Sequence, residues 1–144
     1  MTTATESGLA VKHVVDVLEA DGTVPGLHPG GIWDTEAPPG TVYPYVIVWA
    51  ASPGVDVMAN GPHRILTRTV IGVRTVVQGS SFPDDEAKAT DDALHATQDQ
   101  IPGPGRVTSC VRRQGVRYAE HDNDLTYRHQ GGMYDVQVNR NPAP

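Results

Sequence analysis

Tyr45-Val46-Ile47-Val48-Trp49-Ala50 is the stretch on which the fold turns. It is a near-continuous run of β-branched and aromatic residues, the composition of a strand covered on both faces. Pro44 marks its beginning, because proline has no N–H to give to a ladder. Outward toward the N-terminus lies a turn-rich segment, Gly22 to Tyr43, in which Ile32-Trp33-Asp34 has room for a very short strand. Before it, Val11, Val14, Val15 and Leu18 recur at helical spacing, which predicts a helix over Leu9 to Glu19 with Lys12, Asp16 and Glu19 pointing away. Thr3 with Glu6 has capping-box spacing, Ser7 is a rival N-cap, and Asp21-Gly22 ends the helix.

Outward toward the C-terminus, Ser52 to His63 reads as a long connection, a kind of segment that is usually functional or disordered. Arg64 to Val77 then reads as a long strand, and Pro83-Asp84-Asp85-Glu86 starts a helix that runs to about Asp99. That helix presents a stripe of small residues, Ala87, Thr90, Ala93, Leu94 and Thr97. Two strands follow, Arg106 to Glu120 and Leu125 to Asn139, joined by His121-Asp122-Asn123-Asp124. A four-residue loop pairs Glu120 with Leu125 and Tyr118 with Tyr127, on one face, and sets Gly115 against Gln130. The break Gly131-Gly132 then falls beside Gln114-Gly115, where both strands should bend together. The pattern describes one domain, 1–144, with frayed ends at about 1–6 and 140–144. Its class is α+β: a mostly antiparallel sheet of about four strands with two helices packed on one face.

The balance of 11 basic and 17 acidic residues gives a net charge of -6, which disfavours a protein that grips nucleic-acid phosphates. The signs are segregated. Residues 1–60 and 84–99 are acidic, whereas 61–80 and 101–120 are basic. Such a pattern suits a surface that meets a complementary one, or simply a soluble small domain. No apolar run approaches the ~20 residues of a membrane-spanning helix. The N-terminal residues lack the pattern of a signal peptide, and the single cysteine, Cys110, excludes an intrachain disulfide.

Signals for chemistry are weak. The six histidines show no metal-ligand spacing, and Asp122-Asn123-Asp124 lacks the later ligands of a calcium loop and fits a turn. No Gly-x-Ser-x-Gly elbow is present, and Cys110 sits mid-strand as a structural thiol. Gly103-Pro104-Gly105 makes no phosphate cradle, since Pro104 removes an amide donor. The acid pairs Asp84-Asp85 and Asp91-Asp92 fit a solvated helix face. Trp33, Tyr43, Tyr45 and Trp49 form an aromatic group that fits a core or a subunit contact, with a ligand platform as the other reading. No catalytic, cofactor or metal residue is assigned.

The order of features has a further meaning. A Val/Leu-striped helix leads into Gly30-Gly31-Ile32-Trp33-Asp34, then Ala37-Pro38-Pro39-Gly40, then Tyr43-Pro44-Tyr45-Val46-Ile47-Val48. A basic strand, an acidic Ala-rich helix and a C-terminal hairpin follow. This arrangement, over roughly 8–139, resembles the tail terminator (tail completion) proteins of long-tailed bacteriophages. The resemblance implies a non-enzymatic virion tail protein made in the host cytoplasm. It implies a homo-hexameric ring that caps the tail tube, contacts the tail tube protein and a head-neck connector protein, and lets DNA pass through its lumen without specific binding. No cofactor or membrane is implied. On that reading the interface candidates are Val55, Asp56, Val57, Met58 and Asn60 in the long connection, Arg68 and Arg74 on the basic strand, and Asp84, Asp85, Asp91 and Asp92 on the acidic helix. Basic strand regions of one subunit would meet acidic helices of the next. A head–tail adaptor or stopper of the neck is the second structural reading. A small-molecule-binding enzyme using the aromatic group and His63 is the reading from another class.

Overall fold

A computed structural model of the chain describes residues 6–52, 54–58, 64–99 and 105–139. Alternating β-branched residues build the long central strand β4 (Arg64–Gln78), and the apolar run builds β2 (Tyr45–Ala50) beside it. Around them lie β1 (Ile32–Asp34), β3 (Val55–Met58), β5 (Val107–Asp122) and β6 (Leu125–Asn139). The strands run in the order β1-β2-β4-β6-β5, with β3 beside the first part of β4. All neighbours are antiparallel except β1 and β2. The sheet therefore has six strands where about four were expected. One addition is the short Ile32–Asp34 segment. The other is β3, which occupies part of what the sequence suggests is a plain connection from Ser52 to His63.

The helices are α1 (Glu6–Ala20), the short α2 (Val24–Leu27), which was not expected, and α3 (Asp84–Leu94). They cover one face of the sheet. Ala10, Val14 and Leu18 of α1 and Leu94 of α3 close over Val46 and Val48 of β2, Ile71 and Val73 of β4, and Tyr134, Val136 and Val138 of β6. The α1 stripe is rotated from expectation. Val11 and Val15 are half-buried, whereas Ala10 and His13 turn inward. Small Ala10 lets the helix approach the sheet closely.

Helix α3 stops at Leu94 rather than near Asp99. His95 adopts an extended backbone (ψ 129°) and Ala96 takes φ 66°. From there the chain turns onto β5. Thr97 bridges to Cys110, and the Asp99 side chain accepts the Val107 N–H at 2.7 Å. Those partners outcompete further helix.

The last hairpin is tighter than its composition suggests. Asp122 pairs with Leu125, so only Asn123 and Asp124 turn the chain, with Asn123 at φ 55°. Asparagine tolerates that left-handed conformation, which makes a two-residue turn accessible. The expected register is thus off by two residues. Glu120 faces Tyr127, Tyr118 faces His129 and Gly115 faces Gly132. A shift of two preserves side-chain parity, so Tyr118 and Tyr127 still share a face as diagonal neighbours. The glycines do meet, next to a bulge between Arg112 and Gln114. Gly131 is required by close approach: a Cβ there would lie 1.8 Å from the Val73 carbonyl oxygen of β4.

Candidate assembly surface

Two parts of the sheet are left without a cover among the described residues. The first is the face opposite the helices. Register places Tyr45, Ile47 and Trp49 of β2, Arg74 and Val76 of β4, Tyr127 and His129 of β6, and Val116, Tyr118 and Glu120 of β5 on it. Its side chains pack on one another. The Trp49 ring lies over Gly72, where a Cβ would come within 2.2 Å of it, and the Arg74 guanidinium stacks 4.7 Å from its centroid. Tyr43 sits 5.4 Å from Tyr45 and 6.1 Å from Tyr127, ring to ring. Tyr118 stacks on His129 at 4.5 Å and 8°.

His129 Nε2 donates to Glu120 Oε2 at 3.0 Å, while its Nδ1 is buried with no partner among the described residues. Burial, and secondarily the Arg74 charge, lower the His129 pKa against the opposing pull of Glu120. On the helix side, burial likewise lowers the pKa of His28. Its Nδ1 donates to the Val24 carbonyl at 2.8 Å, which leaves Nε2 to accept from Thr75 Oγ1 at 2.9 Å. Neither imidazole has the exposed, poised setting of a catalytic base. Burial pushes the Cys110 thiol up to about 11, which makes it inert at neutral pH. Burial and the Asp91 carboxylate raise the Tyr134 hydroxyl. Among the described residues, no group of three or more His, Cys, Asp or Glu is placed to hold a metal, and no helix is long and apolar enough to cross a membrane.

The second uncovered part is the outer edge of β5. At its start that edge is occupied: Ala96 N–H donates to the Cys110 carbonyl at 2.8 Å, Asp99 N–H to the Val107 carbonyl at 2.8 Å, and Arg112 N–H to His95 Nδ1 at 3.1 Å. From Arg113 to Asp122 no described strand or loop pairs with it. Nearly every side chain there is exposed, including Tyr118 at 42%. Between this hairpin and α3 runs a cleft lined by Lys88, Asp91, Arg112, Arg117 and Gln130.

The predicted interface residues fall into three groups. Val55, Asp56, Val57 and Met58 form β3 at the other side of the sheet. Val55 is 64% and Met58 53% exposed, while the Asp56 carboxylate accepts from Thr67 Oγ1 at 2.9 Å. Asn60 and His63 lie outside the described residues. Arg68, Arg74, Asp91 and Asp92 already have partners in the chain. Arg68 pairs with Asp135, Arg74 stacks on Trp49, and Asp92 pairs with Lys88. Asp91 accepts the Tyr134 hydroxyl at 2.7 Å and lies 3.4 Å from Arg112. Asp84 and Asp85 stand exposed on the first turn of α3. Part of the basic-to-acidic matching foreseen between subunits is thus satisfied inside one.

Sequence patterning missed Tyr118, Glu120 and His129 as one cluster, and Phe82, whose ring carries Arg117 at 3.9 Å and Arg128 at 5.3 Å. A two-residue turn at Asn123 would have revealed the first. Nothing local signals the second.

No family model matches the sequence, and no curated protein matches it. Among solved structures, the fold is similar to that of a chain in the virion of a native gene transfer agent particle. The TM-score is 0.64 at 18% sequence identity, and the alignment covers 94% of this chain and 99% of that chain. At that identity the likeness is one of fold.

Proposed function

We propose that the chain is a structural subunit of a phage-like particle, a tail terminator that forms a homo-hexameric ring on the end of the tail tube and joins it to the head-neck connector. The observation that carries the proposal is the end-to-end fold match, 94% of one chain against 99% of the other, to a component of a gene transfer agent virion. The motif order Gly30-Gly31-Ile32-Trp33-Asp34 and Tyr43-Pro44-Tyr45 supports the terminator role within that class. An uncovered strand edge and an exposed β3 are what an assembly part needs and what a lone domain avoids. The buried histidines are tied into packing, and the thiol is held protonated. With a net charge of -6 per chain, a hexamer would surround a DNA path with an acidic wall that repels phosphates and lets the duplex slide.

The test is assembly of the purified protein. Light scattering across concentration is expected to give the mass of six copies of the 15.4 kDa chain, and electron microscopy a ring, alone or on tail tubes. Raising salt to ~1 M is expected to weaken it, because the screening length shrinks to about 3 Å. A strict monomer that also fails to bind tail tubes overturns the proposal. Binding to the portal side of the neck without tubes favours the adaptor reading instead.

A further inference from the structure

Resting on the ring reading, we infer that the free edge of β5 pairs antiparallel with β1 of the next copy of this chain, so that the sheet runs on across the subunit boundary.

Strand direction comes first. β1 runs parallel to β2, and each step from β2 to β4, β6 and β5 reverses direction. β1 and β5 therefore run oppositely, and neighbours related by rotation about a ring axis bring them together as an antiparallel pair, the better-bonded geometry. Height comes second. Following the register across the sheet, Asp34 lies level with Val48, Val73, Gly132 and Gly115. Trp33 lies level with Ile47, Arg74, Gly131 and Val116, and Ile32 with Val46, Thr75, Gln130 and Arg117. The open part of β5, from Arg113 onward, is thus at the height of β1, while its occupied start is not.

Side chains match on both faces. On the helix side, Asp34 of one copy would meet Gly115 of the next, beside the Arg112 guanidinium, with Arg117 two residues along and bulged Arg113 on the other flank. Asp34 is exposed, accepts a hydrogen bond from Thr35 Oγ1 at 2.9 Å, and no described cation reaches it. Arg113 is exposed, and the Arg117 guanidinium lies over the Phe82 ring at 3.9 Å. On the other side, half-buried Trp33 would cover Val116 and exposed Tyr118. A two-fold pairing of β5 with itself centred on Gly115 would instead set Arg113 against Arg117, which is unfavourable. Opposite charges on opposite edges of one chain select a head-to-tail neighbour.

The double variant Asp34→Cys with Gly115→Cys tests this directly. The natural Cys110 is buried and will not compete. A Cβ at Gly115 meets only the far end of Arg112, at 2.8 Å, so the substitution is tolerated. Mild oxidation is expected to give a ladder of cross-linked chains ending in a closed ring band, and neither single variant is expected to pass the dimer. In the unmodified chain, Arg117→Glu is expected to weaken association about tenfold, and Arg117→Glu with Asp34→Lys to restore it. If light scattering shows a ring but the double cysteine variant gives no ladder, the edge pairing is wrong while the ring stands. If the chain is monomeric at every concentration, fails to bind tail tubes and gives no ladder, both are wrong. A band that stops at the dimer in the double variant also overturns the pairing.

Discussion

Ile71 and Arg117 stand on the same face of one sheet, in different surroundings. Ile71 is fully buried, under α1 and α3 and against Val48, Val73 and Tyr134. Arg117 lies where the hairpin runs past the helices, exposed, with the Phe82 ring beneath its guanidinium. In the near region, apolar burial fixes both the backbone and the side chains. In the far region, β5 keeps its course by pairing with β6 and by the local geometry of its glycines and turn, and the outward side chains of β5 are left unspent. A protein that must fold alone and then assemble gains from that division: surface reserved for a partner contributes little to the fold of the subunit.

The sharpest way to break this comparison is a truncation in each region. Leu18→Ala, in the core, is expected to cost about 2–5 kcal/mol. Arg117→Ala is expected to stay within about 0.5 kcal/mol. Urea unfolding of the isolated subunit reads both, and comparable losses would abolish the distinction.

The glycines sharpen it at a smaller scale. Gly131→Ala drives a Cβ into the Val73 carbonyl, and is expected to cost about 1–3 kcal/mol as β4 and β6 move apart. Gly115→Ala, on the free strand, meets a flexible guanidinium and is expected to be near-neutral in the same urea unfolding.

The smallest effect expected is with pH. His28 and His129 hold protons less readily folded than unfolded, chiefly because each is buried. Stability is then fullest above the ordinary histidine value of about 6.5, and falls as pH drops through the window between it and the lowered folded values. The fall is at most about 1.4 kcal/mol per histidine per pH unit. Melting temperature measured from pH 7.5 to pH 5 is expected to decline, and His28→Gln to remove part of the slope. A flat profile would mean that both imidazoles are free to protonate in the folded chain.

Legibility in the sequence followed the same division. The core strands β2, β4 and β6 were found with bounds close to the observed ones, because burial on one or both faces writes itself into residue type and period. The ends of elements were legible only where a local rule has no competitor. Pro83 placed the start of α3, but its end was drawn five residues too far, since nothing local says that Thr97 and Asp99 are claimed by β5. The short edge strands β1 and β3 carry little apolar signal, and β3 reads in the sequence as part of a loop. Of the candidate interface residues, types and charges were visible but partners were not: Arg68 and Asp135 are distant in sequence, as are Asp91 and Tyr134.

By itself the sequence determined the class, α+β, the alternation that makes one face of each core strand apolar, the parity of the last hairpin and the meeting of its glycines. These are periodic or local properties, and each survives a shift of two residues. Only the tertiary structure decided the hairpin register, the count of six strands, which arginines are already spent inside the subunit, and which strand edge stays open. Those depend on contacts between segments far apart in the chain, where the choice among partners is made by geometry and not by composition.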